Sequence, residues 1–174
     1  TAFRMFAQEP LRRRRFRTLR HCISGGEALN AEVVAAWREG TGHHIHEGYG
    51  QTETVLLAAT FPAIPWKPGS MGRAAPGHEI AIVDDEGRER PRGTEGDLAV
   101  RVVPERPVGM FREYWRSPEA TARCQRGDWY VTGDRAAMDE DGYLWFVGRA
   151  DDVINSASYR IGPFEVESAL IEHP

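Results

Sequence analysis

Lysine is almost missing from this 174-residue chain: of its 22 cationic side chains, Lys67 is the only lysine and the rest are arginine. A catalytic lysine therefore has almost nowhere to be. Cysteine is equally scarce, because Cys22 and Cys124, about a hundred residues apart, are too few and too scattered for a disulfide framework or a zinc cluster. A reducing, cytoplasmic setting is the default expectation. No apolar run approaches the length needed to cross a bilayer, so no membrane span is expected. An excess of positive charge is also lacking, since the formal net charge is −4, and this argues against a dedicated nucleic-acid binder. The run Arg12 to Arg15 reads as a solvated face in that acidic background.

What is present is ordinary globular material: 41% apolar and 28% charged residues, enough for one domain of usual size or two small ones. The chain opens on Thr1 with a polar, arginine-bearing stretch and reads as an internal piece of something longer. The order of elements predicts a mixed α/β fold. A short helix around Thr1 to Gln8 is closed by Pro10, and a strand follows at His21 to Ser24. Asn30 then caps a helix whose Leu29 staples against Val34, whose Val33, Val34 and Trp37 form one apolar face, and which Gly40 ends. His43 to Glu47 reads as a strand, Gly48 to Gly50 as a loop, and Thr54 to Thr60 as a buried strand. His43, His44 and His46 alternate with Ile45 as a half-buried strand would, which favours packing over a metal patch.

Beyond the proline-rich connector Pro62 to Pro68, short alternating strands separated by turns predict a small sheet or barrel. Its strands are expected at Glu79 to Asp84, around Leu98 to Val102, at Trp129 to Thr132, and at Tyr143 to Val147 after the turn Asp139 to Gly142. Trp115, Trp129 and Trp145 fall in this strand-like sequence as core or rim. Gly162-Pro163 opens a last helix carrying Val166, Ala169 and Leu170. The expected division is therefore the end of an α/β part at 1–68, a β-rich part at 69–150, and the start of a small α+β domain at 151–174, with the boundary at Asp151.

Three clusters have the composition for chemistry. Glu47-Gly48-Tyr49-Gly50-Gln51-Thr52-Glu53 puts glycines, a hydroxyl and carboxylates within one short stretch. Glycines let backbone approach an anion, Thr52 can donate to a phosphate oxygen, Glu53 offers the hard ligand magnesium prefers, and Tyr49 can stack on a base. A tight turn with an aromatic plug explains the same residues. In the second cluster Asp134 follows the strand ending at Thr132, and Arg149 lies fifteen residues further on. A carboxylate suits a ribose diol and a guanidinium suits a phosphate, although a solvated ion pair on a hairpin is the alternative. The third cluster, Asn155 to Gly162, is a small polar loop that by itself says only "loop".

In this order and spacing the three clusters, with Gly25-Gly26-Glu27, Gly69 to Gly72, Gly93 to Asp97, Tyr130 to Asp134, Asp139 to Tyr143 and Gly148 to Asp152, closely resemble the adenylate-forming (AMP-binding) superfamily. Among its members the chain is most similar to medium-chain acyl-CoA synthetases. The resemblance implies a two-step ligase in which a carboxylic acid, medium-chain or aromatic, attacks ATP to give an acyl adenylate, and coenzyme A then displaces AMP. It implies catalytic roles for Thr52 at the α-phosphate, for Glu53 at magnesium, and for Arg160 at the adenylate phosphate or acyl carboxylate. Gly25, Gly26 and Glu27 would line the adenine and acyl pocket, and Glu47, Gly48, Tyr49, Gly50 and Gln51 would form the nucleotide wall. Asp134 would hold the ribose and Arg149 the ribose or phosphate, while Ala157, Ser158 and Tyr159 would meet coenzyme A. A hinge at Arg149 to Asp152 would exchange the two half-reactions.

Two departures stand out. Ala157-Ser158 occupies the place where relatives usually carry Ser-Gly, and a Cβ at the glycine position hinders close approach in the thioester step. The lysine-bearing phosphate loop and the late lysine have no counterpart, so the chain alone is expected to be catalytically incomplete. The alternatives are a non-catalytic nucleotide-binding or interaction module, and an adenylating enzyme that loads a carrier-protein thiol. Orphaned surfaces at both ends invite self-association.

Overall fold

The computed structural model describes residues 2–14, 16–27, 29–152, 154–156, 159–161, 166 and 169–170. Three sheets carry the strands of these residues. The first begins as a strand–helix–strand unit: β1 (Cys22–Gly25) and β2 (Ile45–Gln51) are parallel, and the helix α2 (Ala31–Thr41) joins them. Parallel neighbours need such a crossover, and the apolar stripe of α2 supplies the cover. Val34 and Trp37 pack with Leu29, Cys22, Ile45 and Leu11, the last from a 3₁₀ turn at Leu11–Arg13. The helix α1 (Ala2–Ala7) adds Phe3, whose ring meets Trp37 edge-on at 5.0 Å.

Of two sequence expectations about α2, the cap position holds and the end is corrected. Asn30 is its N-cap residue, yet its side chain makes no capping bond, and the carbonyl alone accepts from Val33 and Val34. Gly40 does not end the helix, which continues to Thr41 and is closed by Gly42 in the left-handed conformation.

From β2 the chain folds back on itself. β3 (Val55–Ala59) pairs antiparallel with β2, and β4 (Arg73–Ala74) adds to β3, so this first sheet takes its last strand from beyond residue 68. The expected loop at Gly48 to Gly50 is therefore strand, and the reversal falls at Gln51 to Thr54, where the Thr54 amide donates to the Gln51 carbonyl.

The second sheet has the order β5-β6-β8-β7, from β5 (Ile80–Val83), β6 (Gly96–Arg101), β7 (Gln125–Arg126) and β8 (Trp129–Met138), with β9 (Leu144–Arg149) also on β8. The short helix α3 (Pro118–Arg123) precedes β7. β8 is longer than its sequence signal, running through Gly133-Asp134, and its ten residues alternate buried and half-buried almost without interruption. Trp129 is buried there and Trp145 sits in β9, but Trp115 is 83% exposed and outside any strand, contrary to expectation.

The first two sheets are joined at a seam. Gly72 bridges Leu144, the Met71 amide donates to the Leu144 carbonyl, and the Leu144 amide donates to the Gly72 carbonyl. Above it lies a shared core of Ala58 and Met71 from one side with Ile82, Leu98, Ala136, Met138 and Leu144 from the other. Lys67 clasps the same seam: its ammonium donates to Asp139 at 2.6 Å and to Asp141 at 2.7 Å, and lies 4.4 Å from the Tyr143 ring centre. Burial works against the Asp139 charge, but the bonds from Lys67, the Tyr143 amide and the Trp145 indole prevail and hold its carboxyl at about 2. A third, two-stranded sheet pairs β10 (Ile154–Ser156) with β11 (Tyr159–Ile161). The expected helix opened by Gly162-Pro163 lies largely outside the described residues.

Candidate nucleotide-binding site

β2 carries most of the first cluster, and β8 and β9 carry the second. Pairing within the second sheet sets Asp134 directly opposite Arg149, and Tyr49 and Gln51 of β2 reach across from the first sheet. All four meet at one carboxylate. Asp134 is 4% exposed; its Oδ2 accepts from the Tyr49 hydroxyl at 2.5 Å and the Gln51 amide at 2.9 Å, and its Oδ1 from Arg149 at 3.3 Å. A buried carboxylate is tolerable only when so partnered. Burial first, then the neighbouring Asp134 charge, push the Tyr49 phenol well above its ordinary value, so it stays a donor.

This cluster forms one wall of a cavity of about 570 Å³. Of the predicted residues, Gly26, Glu27, Glu47, Gly48, Tyr49, Gly50, Gln51, Asp134 and Arg149 line it. Glu47 is half-buried against it, and burial pushes its carboxyl up to about 7. Gly25 does not line the cavity but lies on β1 beside Gly48. Gly50 has a second purpose beyond the one expected of it. A Cβ there would fall 1.6 Å from the Val55 carbonyl oxygen, so the bare backbone is needed for the return of the chain into β3.

Thr52 and Glu53 lie elsewhere. They open onto an adjacent cavity of about 530 Å³, and Gln51 and Arg149 form the partition common to both spaces. Thr52 is exposed, whereas the Glu53 Oε1 accepts from the Tyr114 hydroxyl at 2.8 Å. Tyr159 and Arg160 are placed only as backbone of β11, and Ala157 and Ser158 lie outside the described residues. Among the described residues no group of three or more His, Cys, Asp or Glu is arranged to hold a metal. His46 instead donates to the Thr60 carbonyl and stacks on His21 at 4.6 Å.

Sequence reasoning gave no place in these spaces to several of their residues, although Met71, Tyr130 and Asp152 fall within its motifs. Met71 and Phe146 give the larger cavity its apolar wall, and Arg4 and Asp152 stand at it. Tyr130 and Tyr114 were missed as partners of Gln51 and Glu53, with the Tyr130 hydroxyl 3.2 Å from the Gln51 amide oxygen. Gly69 to Gly72 stands out as a motif, but nothing local in the sequence marks a tyrosine 61 residues away as a partner of Glu53.

Comparison with known proteins fits this geometry. The family described as "AMP-binding enzyme" matches residues 1–115. Over its whole length the chain is 58% identical to acyl-coenzyme A synthetase ACSM5, mitochondrial, of Rattus norvegicus and 55% identical to acyl-coenzyme A synthetase ACSM3, mitochondrial, of Mus musculus. It spans 30% of the length of each. Among solved structures, an anthranilate CoA ligase, AuaEII, in complex with anthranoyl-AMP superposes with a TM-score of 0.86 at 35% identity, over 99% of this chain and 32% of that one. ATP-bound MatB from Rhodopseudomonas palustris gives 0.88 at 33%, over 99% and 34%.

The cytoplasmic expectation is corrected by the relatives, which are named as mitochondrial. Scarce cysteine reports the lack of a disulfide framework and does not distinguish one reducing compartment from another. No described helix is long and apolar enough to cross a membrane. By the match to well over half its length, and by the relatives and folds it shares, the chain belongs to the AMP-binding enzyme family.

Proposed function

We propose that this chain forms the nucleotide-holding part of an ATP-dependent acid–thiol ligase, which activates a medium-chain or aromatic carboxylic acid as its acyl adenylate and passes the acyl group to coenzyme A. The observation that carries this reading is the convergence of Tyr49, Gln51 and Arg149 on the buried Asp134 carboxylate at the wall of the cavity. The carboxylate is positioned to accept from a ribose diol, and Arg149 lies within reach of a phosphate on either side of the partition it forms.

The chemistry requires charge control at phosphorus. A carboxylate is a poor acyl donor until its oxygen becomes part of a phosphate that leaves well, and the attack crowds negative charge around the α-phosphate. Thr52 would donate its hydroxyl there, and Arg160 would approach from the small domain. Glu47, at the base end of the β2 stretch, would face the adenine with Tyr49. Magnesium, when bound, supplies charge neutralisation at the phosphates. Glu53 fits it as a single protein ligand, because this ion ordinarily takes one or two carboxylates and completes its shell with phosphate oxygens and water.

Ala157, Ser158 and Tyr159 are assigned to coenzyme A on the resemblance of the sequence alone. The division at 1–68, 69–150 and 151–174, with a hinge at Arg149 to Asp152, belongs to the same proposal, and the end of the second sheet at Arg149 supports it. The test has two stages. Calorimetry of this chain with AMP is expected to show saturable binding. A protein of the relatives' length carrying this segment is expected to catalyse acid-dependent exchange between ATP and pyrophosphate, and no exchange across a broad panel of acids would reject adenylation.

A further inference from the structure

The Glu53 turn is gripped at two points by a segment distant in sequence. Its main-chain carbonyl accepts from the Phe111 amide at 2.7 Å, and its Oε1 accepts from the Tyr114 hydroxyl at 2.8 Å. The gripping segment is itself fixed. The Tyr114 amide donates to the Thr121 hydroxyl at 2.9 Å, Arg106 donates to the Phe111 carbonyl at 3.3 Å, and the Phe111 ring packs edge-on against Tyr114 at 4.9 Å and Tyr130 at 5.5 Å. Tyr130 in turn contacts Gln51 at the other end of the same reversal.

A tyrosine hydroxyl that donates to a carboxylate favours one rotamer of that carboxylate. The bond engages Oε1 alone, which leaves a carboxylate fixed in direction and able to ligate through its second oxygen.

We infer that Tyr114 is a positioning residue that aims the Glu53 carboxylate at the divalent cation accompanying the ATP phosphates, acting through Glu53 and touching no substrate itself. The inference rests on the proposed nucleotide site. It separates Tyr114 from the residues of the Asp134 cluster, which hold the nucleoside and have no need of a cation.

The test compares two ligands on this chain. Tyr114→Phe keeps the ring against Phe111 and removes only the hydroxyl. Binding of Mn²⁺ in the presence of ATP, read by electron paramagnetic resonance, is expected to weaken about five- to tenfold, about the net worth of one ordinary hydrogen bond. Affinity for AMP without metal, read by calorimetry, is expected to stay within twofold. In a Glu53→Gln background the same change is expected to have no further effect on Mn²⁺. Unchanged Mn²⁺ affinity in Tyr114→Phe, with wild-type binding intact, would overturn the positioning role alone. An equal fall in AMP affinity would show that the hydroxyl merely supports the fold, and would overturn it too. A parent chain that binds neither AMP nor Mn²⁺ with ATP would overturn the nucleotide site and this inference together.

Discussion

Removing the Asp134 carboxylate should harm the fold and the ligand site by separable amounts. The Tyr49 hydroxyl and the Gln51 amide are both half-buried and both donate to Oδ2, so Asp134→Ala leaves two donors without their acceptor. Each orphaned donor costs about 1–3 kcal/mol, while Arg149, 47% exposed in its side chain, turns to water at little cost. A loss of about 3–4 kcal/mol is expected, a large share of the 5–15 kcal/mol that typically separates native from unfolded chains. Asp134→Asn keeps the volume and one acceptor oxygen and should lose about half as much. Both are measured by urea denaturation, with calorimetry against AMP on the same samples. In the folded Asn variant, losing the charge at the proposed ribose position should weaken AMP about tenfold, or about 1.4 kcal/mol. An Ala variant within about 1 kcal/mol of the parent would refute the claim that these donors depend on this acceptor. An Asn variant with full AMP affinity would refute the ribose contact.

Two further outcomes follow from the geometry. Gly72 has φ +82°, and a Cβ there would fall 2.0 Å from the Ala59 carbonyl of β3, so Gly72→Ala must push Gly72 away from β3 and disturb the seam it makes with Leu144. A loss of about 3 kcal/mol or more by urea denaturation is expected, and a variant as stable as the parent would show that the seam yields freely. Glu47 concerns pH. Burial raises its carboxyl from 4.5 to about 7, so the native chain keeps a proton that the unfolded chain has released. Its stabilising contribution is complete below pH 4.5 and is lost as pH rises through about 7, at most about 3 kcal/mol in all. Glu47→Gln should narrow the difference in stability between pH 5 and pH 8, and a variant with the parent's full difference would count against the burial argument.

Much of the architecture was legible in the sequence because hydrophobic period and turn chemistry agreed with the final packing. The crossover helix, the alternation around Leu98 to Val102 and the hairpin at Asp139 to Gly142 are of this kind. The misreading of Gly48 to Gly50 has a physical cause. Glycine is a poor strand former by itself, but pairing with β3 supplies the strand geometry, and Gly50 is needed because the returning chain passes so close. Trp115 was misplaced for the opposite reason: its neighbours look strand-like, but among the described residues no strand pairs with them. At the site, motif spacing pointed to Asp134 and Arg149 correctly as neighbours, since a hairpin register places them opposite each other. The separation of Thr52 and Glu53 into a second space was not legible. It depends on where the reversal after Gln51 turns, and on tyrosines contributed from residues 114 and 130.

The clasp at Lys67 has a chemical corollary. Its amine is the one lysine nucleophile in the sequence, and two carboxylates hold it in the protonated form, with its lone pair committed to a proton. Any activated acyl group that reached this face would therefore meet guanidinium groups, which acylate poorly, and an ammonium with no free lone pair to attack it.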